Sequence, residues 1–141
     1  MPTRILAIDY GTKRTGLAIG DEEMRLASPL RAIVTRDRKS LIREIVAAVE
    51  REGAERLVVG LPLNMDGTAG PMVEVAMALA EALRERTGLP VDLFDERLTS
   101  HAAEAHFIGS EFTKKQRQRR VDSLAAMILL QTYLDRKGSR S

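Results

Sequence analysis

Two apolar runs without polar alternation, "RILAI" at residues 4–8 and "RLVVGLP" at 56–62, constrain this chain more than any other feature. A strand that is apolar at every position is covered on both faces, and such strands belong to the parallel part of a sheet sandwiched between helices. The segments between them supply those helices. Leu41, Ile42, Ile45, Val46 and Val49 recur at helical spacing over Arg38–Glu52, with Asp37 placed to cap the start and Gly53 the end. Pro71 opens a second helix through Val75, Leu79 and Leu83 that stops at Gly88. Further strands are expected at 15–19, within 25–34 and at 90–96, a short helix over 101–108, and a last helix from about Val121 to Leu134. The order βββαβαβαα predicts an α/β fold with helices on both faces of one sheet. No repeat or linker divides the 141 residues, so a single domain over 1–141 is expected, ending in a basic, flexible tail from about residue 136.

The first strand ends on a carboxylate in "LAIDYGTKRTG", where Asp9 precedes a turn through Gly11. Asp95 and Glu96 end the strand in "FDERLTS"; alternation puts Phe94 and Glu96 on one face and Leu93 and Asp95 on the other, so one of the two acids faces a given site. Asp122 heads a helix face continued by Ala125, Ala126, Leu129 and Tyr133. Taken singly, each acid has an ordinary explanation in turn formation or in the helix dipole. Taken together they read differently. The carboxyl ends of parallel strands share one edge, where α/β sites form, and a last helix packed across that edge brings Asp122 to Asp9 and Glu96. Three carboxylates repel one another unless a cation sits among them, and an all-oxygen set selects Mg²⁺ or Mn²⁺. Ions so held hydrolyse phosphodiesters.

Charge distribution supports a polyanionic substrate. The net charge is only +2, but "EFTKKQRQRR" at 111–120 carries five basic side chains against one acid. Lys114, Lys115, Arg117, Arg119 and Arg120 are candidate backbone contacts just before the helix of Asp122, and Lys13 and Arg14 in the first turn are candidates on its other side. His101 and His106 are five apart and do not share a helical face, so they are read as surface residues. The absence of cysteine excludes disulfides, thiolate metal sites and thiol catalysis. With no secretory pattern and no apolar stretch near 18 residues, a cytoplasmic location without membrane contact is expected.

The segments "AIDYGTKRTGLAIG", "VVGLPLNMDGT", "DERLTS" and "VDSLAAMILLQTYL" resemble, in order and spacing, the RuvX/YqgF family of Holliday-junction resolvases, also regarded as pre-16S rRNA nucleases. The resemblance runs nearly end to end. It implies a ribonuclease H-like fold, a five-stranded mixed sheet whose second strand is antiparallel, and catalytic acids at Asp9, Glu96 and Asp122. It also implies a nucleic acid partner, either branched DNA or precursor ribosomal RNA, and a homodimer if paired junction cuts are made. Two other classes compete. "DYGTKRTG" also fits the phosphate turn of actin-like ATPases, although 141 residues supply one such turn and no second domain to close over a nucleotide. A non-catalytic nucleic-acid-binding domain has no use for three gathered acids.

Overall fold

A computed structural model of the chain, describing residues 3–99 and 123–138, places the two apolar runs at the centre of a five-stranded sheet. The elements are β1 (Arg4–Asp9), β2 (Arg14–Asp21), β3 (Ser28–Val34), α1 (Arg38–Glu52), β4 (Arg56–Leu61), α2 (Pro71–Thr87), β5 (Val91–Asp95) and α3 (Leu124–Gly138). The strand order is β3-β2-β1-β4-β5. β1, β4 and β5 are parallel, whereas β2 runs antiparallel to both β1 and β3. β1, β3, β4 and β5 therefore all end at one edge, and β2 begins there.

Strand alternation divides the sheet into two cores. Leu6, Ile8, Leu17, Ile19, Leu57 and Val59 pack beneath α1 and α2. Ile5, Ala7, Ala18 and Val58 point the other way, onto Met127, Leu130 and Leu134 of α3. β1 and β4 are thus buried on both faces, which is why neither shows polar alternation. The α1 and α2 boundaries follow their local signals. The Asp37 carboxylate accepts the Ser40 N–H at 2.8 Å, Gly53 and Gly88 adopt left-handed conformations at the helix ends, and Pro71 occupies the first turn of α2.

Three boundaries and the exposure of one helix residue differ from expectation. Residues 25–27 do not join β3, because the Gln131 side chain takes their hydrogen bonds: its Oε1 accepts the Ala27 N–H at 3.0 Å and its Nε2 donates to the Arg25 carbonyl at 2.8 Å. β5 stops at Asp95, so Glu96 is not a strand residue and its direction is not set by strand alternation. α3 continues to Gly138, four residues past Leu134. Ala125, expected on the buried face of that helix, is exposed, while Ala126, Leu129 and Tyr133 are buried. The expected helix at 101–108, with His101 and His106, lies outside the described residues.

Candidate active site

The strand-terminal edge gathers the connections at 10–13, 35–37 and 62–70 and the turn that follows β5. Residues 10–13 link β1 to β2, and the Thr35 N–H donates to the Lys13 carbonyl at 2.8 Å. The hydroxyls of buried Thr15 and half-buried Thr35 join at 2.8 Å, tying this turn to the end of β3. Gly11 has ordinary φ, so conformational freedom is not what the position requires; a Cβ there would lie 2.2 Å from the Arg14 carbonyl oxygen. Lys13 and Arg14 emerge from this turn exposed.

Asp9, the last residue of β1, is half-buried and paired across the ladder with Gly16, beside a bulge in β2. From the far side of β4, Glu96 comes back to meet it. Asp95 and Glu96 form a 3-10 turn in which the Asp95 carboxylate caps the Arg97 N–H at 2.9 Å. That turn lifts Glu96 out of β5 and lays its side chain over Gly60 of the intervening strand. Gly60 is what makes the reach possible: a Cβ there would stand 2.6 Å from Glu96 Oε1 and 3.0 Å from Cγ and Cδ. The Glu96 carboxyl hydrogen-bonds to Asp9. Burial, that hydrogen bond and the nearby Asp9 and Asp95 charges raise its pKa to about 9, so one proton stays in the pair at neutral pH.

Asp95 is turned to a different task. Arg97 Nη2 donates to its Oδ2 at 2.7 Å and Arg97 Nε to both oxygens at 3.1 and 3.0 Å, which holds the Asp95 carboxyl below its usual pKa range. The same guanidinium reaches the Met65 carbonyl at 3.4 Å, in a loop closed by Asn64, Asp66 and Thr68. Sequence reasoning did not assign Asp95, Arg97 or the Asn64–Gly67 loop. Here they form a clamp that fixes the turn carrying Glu96. Asp95→Ala is therefore expected to lower turnover about tenfold, with a melting temperature close to the parental one, because an exposed ion pair contributes little to folding. Steady-state kinetics beside a thermal melt check this; unchanged turnover would leave the clamp with no part in positioning.

On the α3 side, Ser123 is fully buried. Its hydroxyl donates to the Leu30 carbonyl at 2.6 Å and accepts the Leu17 N–H at 3.2 Å, pinning the chain to β2 and β3 just before α3 begins. An unpaired buried backbone group costs about 1–3 kcal/mol, so this hydroxyl fixes where the helix starts. Tyr133 anchors the other end of α3, donating its hydroxyl to Asp92 and meeting Phe94 edge-on at 5.9 Å. Asp122, which precedes Ser123 in the chain, lies outside the described residues, as do Lys114, Lys115, Arg117, Arg119 and Arg120. Among the described residues no group of three or more potential metal ligands forms; Asp9 and Glu96 are a pair. Gly60 and Ser123 were missed by sequence reasoning. A glycine inside a fully apolar strand was the available signal for the first.

Known proteins with this pattern concur on the architecture. A family model described as "RuvX: Holliday junction resolvase" matches residues 3–136. A protein of Chloroflexus aurantiacus named "Putative pre-16S rRNA nuclease" is 42% identical over 135 residues, spanning 96% of this chain and 88% of that protein. A protein of the same name from Moorella thermoacetica is 41% identical over 135 residues, spanning 96% of each. Among solved structures, Thermus thermophilus RuvC in complex with a Holliday junction substrate matches with a TM-score of 0.62 at 15% identity, covering 97% of each chain. The Fowlpox virus resolvase bound to Holliday junction DNA matches with a TM-score of 0.62 at 14% identity, covering 96% of this chain and 99% of its own. At such identities these two structures establish the fold, which is ribonuclease H-like.

Proposed function

This chain belongs to the RuvX family, and on that premise we propose that it is a divalent-metal-dependent endonuclease whose catalytic acids are Asp9, Glu96 and Asp122. The observation that carries the reading is the Asp9–Glu96 pair: a carboxyl at the end of β1 and one from the turn after β5 meet across β4 at the strand-terminal edge and retain a proton to do so. Carboxyls crowded at a cost to their own ionisation are a mark of functional sites. The donor set is all oxygen and fits Mg²⁺ or Mn²⁺. Asp122 would supply the third carboxylate, and the burial of its chain neighbour Ser123 against Leu17 and Leu30 supports that assignment.

A divalent ion held there supplies Lewis-acid activation of water and neutralises charge on the leaving oxygen. The protein's own residues do the rest. To serve as a ligand, Glu96 would give up to solvent the proton it holds against Asp9. The Asp95–Arg97 clamp keeps its side chain over Gly60. Lys13 and Arg14 from the first turn, with Lys114, Lys115, Arg117, Arg119 and Arg120, would orient the substrate backbone by charge-assisted contacts to phosphate.

The family description and the names of the relatives point to two nucleic acids, four-way junction DNA and precursor 16S rRNA. We take hydrolysis at the 5′ side of precursor 16S rRNA as the leading assignment, since the relatives that are about 40% identical carry that name. Junction resolution needs paired cuts and hence a symmetric dimer. No helix among the described residues is long and apolar enough to cross a membrane, and the site of action is proposed to be the cytoplasm. The test is cleavage of matched rRNA precursor and junction substrates under Mg²⁺ and Mn²⁺, with EDTA as control. Metal-dependent cuts in the precursor are expected. Cleavage that persists in EDTA would overturn the metal reading, and cutting of the junction alone would overturn the substrate assignment.

A further inference from the structure

The charged surface around the site extends along a path that the sequence did not reveal. A groove of about 590 Å³ runs between edge strand β3 and helix α1, lined by Arg31, Arg36, Arg43 and Arg51 with Glu44 as the one acid among its lining residues. All four arginines are exposed; the Arg31 and Arg36 side chains form no hydrogen bond or ion pair with a described residue, Arg43 donates to the Ser40 hydroxyl at 3.4 Å, and Arg51 pairs with Glu52 at 3.4 Å. Arg36 also lines a second cavity of about 580 Å³, whose wall includes Tyr10 and Thr12 from the turn directly after Asp9. The acids of that second cavity, Asp37 and Glu74, stand beside Arg36 and Arg38, and Asp37 is occupied in capping α1. Arg36 thus joins the groove to a cavity whose wall includes Thr12, three residues after Asp9, and the other arginines lead away from it along β3 and α1. Arg43 and Arg51 are eight residues apart on α1, about 12 Å along its axis, the rise of three to four base pairs of duplex.

We propose that the β3–α1 groove is a second phosphodiester-binding track, which holds a double-helical arm of the nucleic acid whose scissile bond lies at Asp9 and Glu96. The proposal rests on the nuclease reading above and adds to it the course of the substrate. An arginine on an edge strand also discourages edge-to-edge pairing, but that role does not call for further arginines facing it from a helix. Guanidinium groups bind phosphate without reading sequence, so the track grips shape and charge.

The test is the salt dependence of binding to a fluorescein-labelled 30-base-pair DNA duplex in EDTA, for the parent and for Arg31→Gln/Arg36→Gln/Arg43→Gln. Each lost phosphate contact flattens the slope of log K against log salt by about 0.9, so three contacts predict a change of about 2.7 and at least about a tenfold loss of affinity at 0.1 M salt. The double variant Arg25→Gln/Arg86→Gln, exposed arginines outside the groove, is expected to change the slope by less than about one. Thermal melts report folding of each variant, and Arg36→Glu alone provides a second reading with a single replacement. A parental slope in the folded triple variant overturns the track while leaving the nuclease reading intact, provided the parent cuts. An equal effect of the control variant reduces the groove to net charge and also overturns it. Unchanged duplex binding with an altered sedimentation coefficient assigns the edge to a second copy of the chain instead. A parent that neither binds nor cuts nucleic acid overturns the underlying reading.

Discussion

Asp9→Asn, Glu96→Gln and Asp122→Asn are each expected to lower metal-dependent cleavage by three orders of magnitude or more, about 4 kcal/mol of transition-state stabilisation, while the metal-free protein melts at or above the parental temperature. The stability half of the expectation comes from the Asp9–Glu96 pair. Two carboxyls brought together and partly buried oppose folding, and replacing one by an amide removes the cost of binding a proton there while keeping a hydrogen-bonding partner. pH sharpens the test. The folded pKa of Glu96, about 9, lies above the unfolded value of 4.5, so between these the folded state keeps a proton that the unfolded chain has released. The stability that Glu96 contributes without metal is therefore fully present below about pH 4.5 and is lost as pH rises toward 9. Glu96→Gln should flatten that decline. Bound metal should reverse it in the parent, because ligation requires the proton to leave. Melting temperatures at pH 5, 7 and 9, in EDTA and in Mn²⁺, measured beside cleavage rates, check both halves. A variant that cuts at the parental rate removes that acid from the site; a parental pH slope in Glu96→Gln removes the proton from the pair.

Gly60→Ala should cost about a hundredfold in rate, although it adds only a methyl group. The new Cβ would fall 2.6 Å from Glu96 Oε1, and the neighbour that must yield is a carboxyl at the end of a flexible side chain. The strand accordingly stays in place and Glu96 swings away from Asp9. A displacement of about 1 Å in a catalytic group costs on the order of a hundredfold in rate. Stability should hold or rise, since alanine suits a strand better than glycine by about 0.5–1 kcal/mol and the carboxyl pair is relieved. Shortening the acid in the double variant Gly60→Ala/Glu96→Asp withdraws it from the methyl and should recover part of the activity relative to Gly60→Ala. Parental turnover in Gly60→Ala would mean that Glu96 works from another position.

Much of the architecture was legible because its causes are local. Burial on both faces dictated the composition of β1 and β4, and a capping carboxylate, an N-terminal proline and left-handed glycines marked the ends of α1 and α2. Asp9 could be placed at a strand end, since the apolar run stops there. The placement of Glu96 was a different matter. Alternation assigns a face only to residues that remain in the strand, and the side chain of Asp95 draws Glu96 into a turn through its bond to the Arg97 N–H.

What only the tertiary structure decided is the meeting of elements distant along the chain. Gly60 lies beneath the Glu96 side chain because β4 lies between β1 and β5, a neighbourhood set by strand order. The arginines of β3 and α1 line one groove because α1 packs back beside the edge strand from which the chain has just left. Sequence alone determined which strands are buried on both faces, where α1 and α2 begin and end, and which residue types are available for chemistry, because those depend on periods of two and 3.6 and on contacts within a single turn. Tertiary structure decided which carboxyls meet, because that depends on the register of parallel strands some fifty residues apart, and register is set by packing on both faces of the sheet at once.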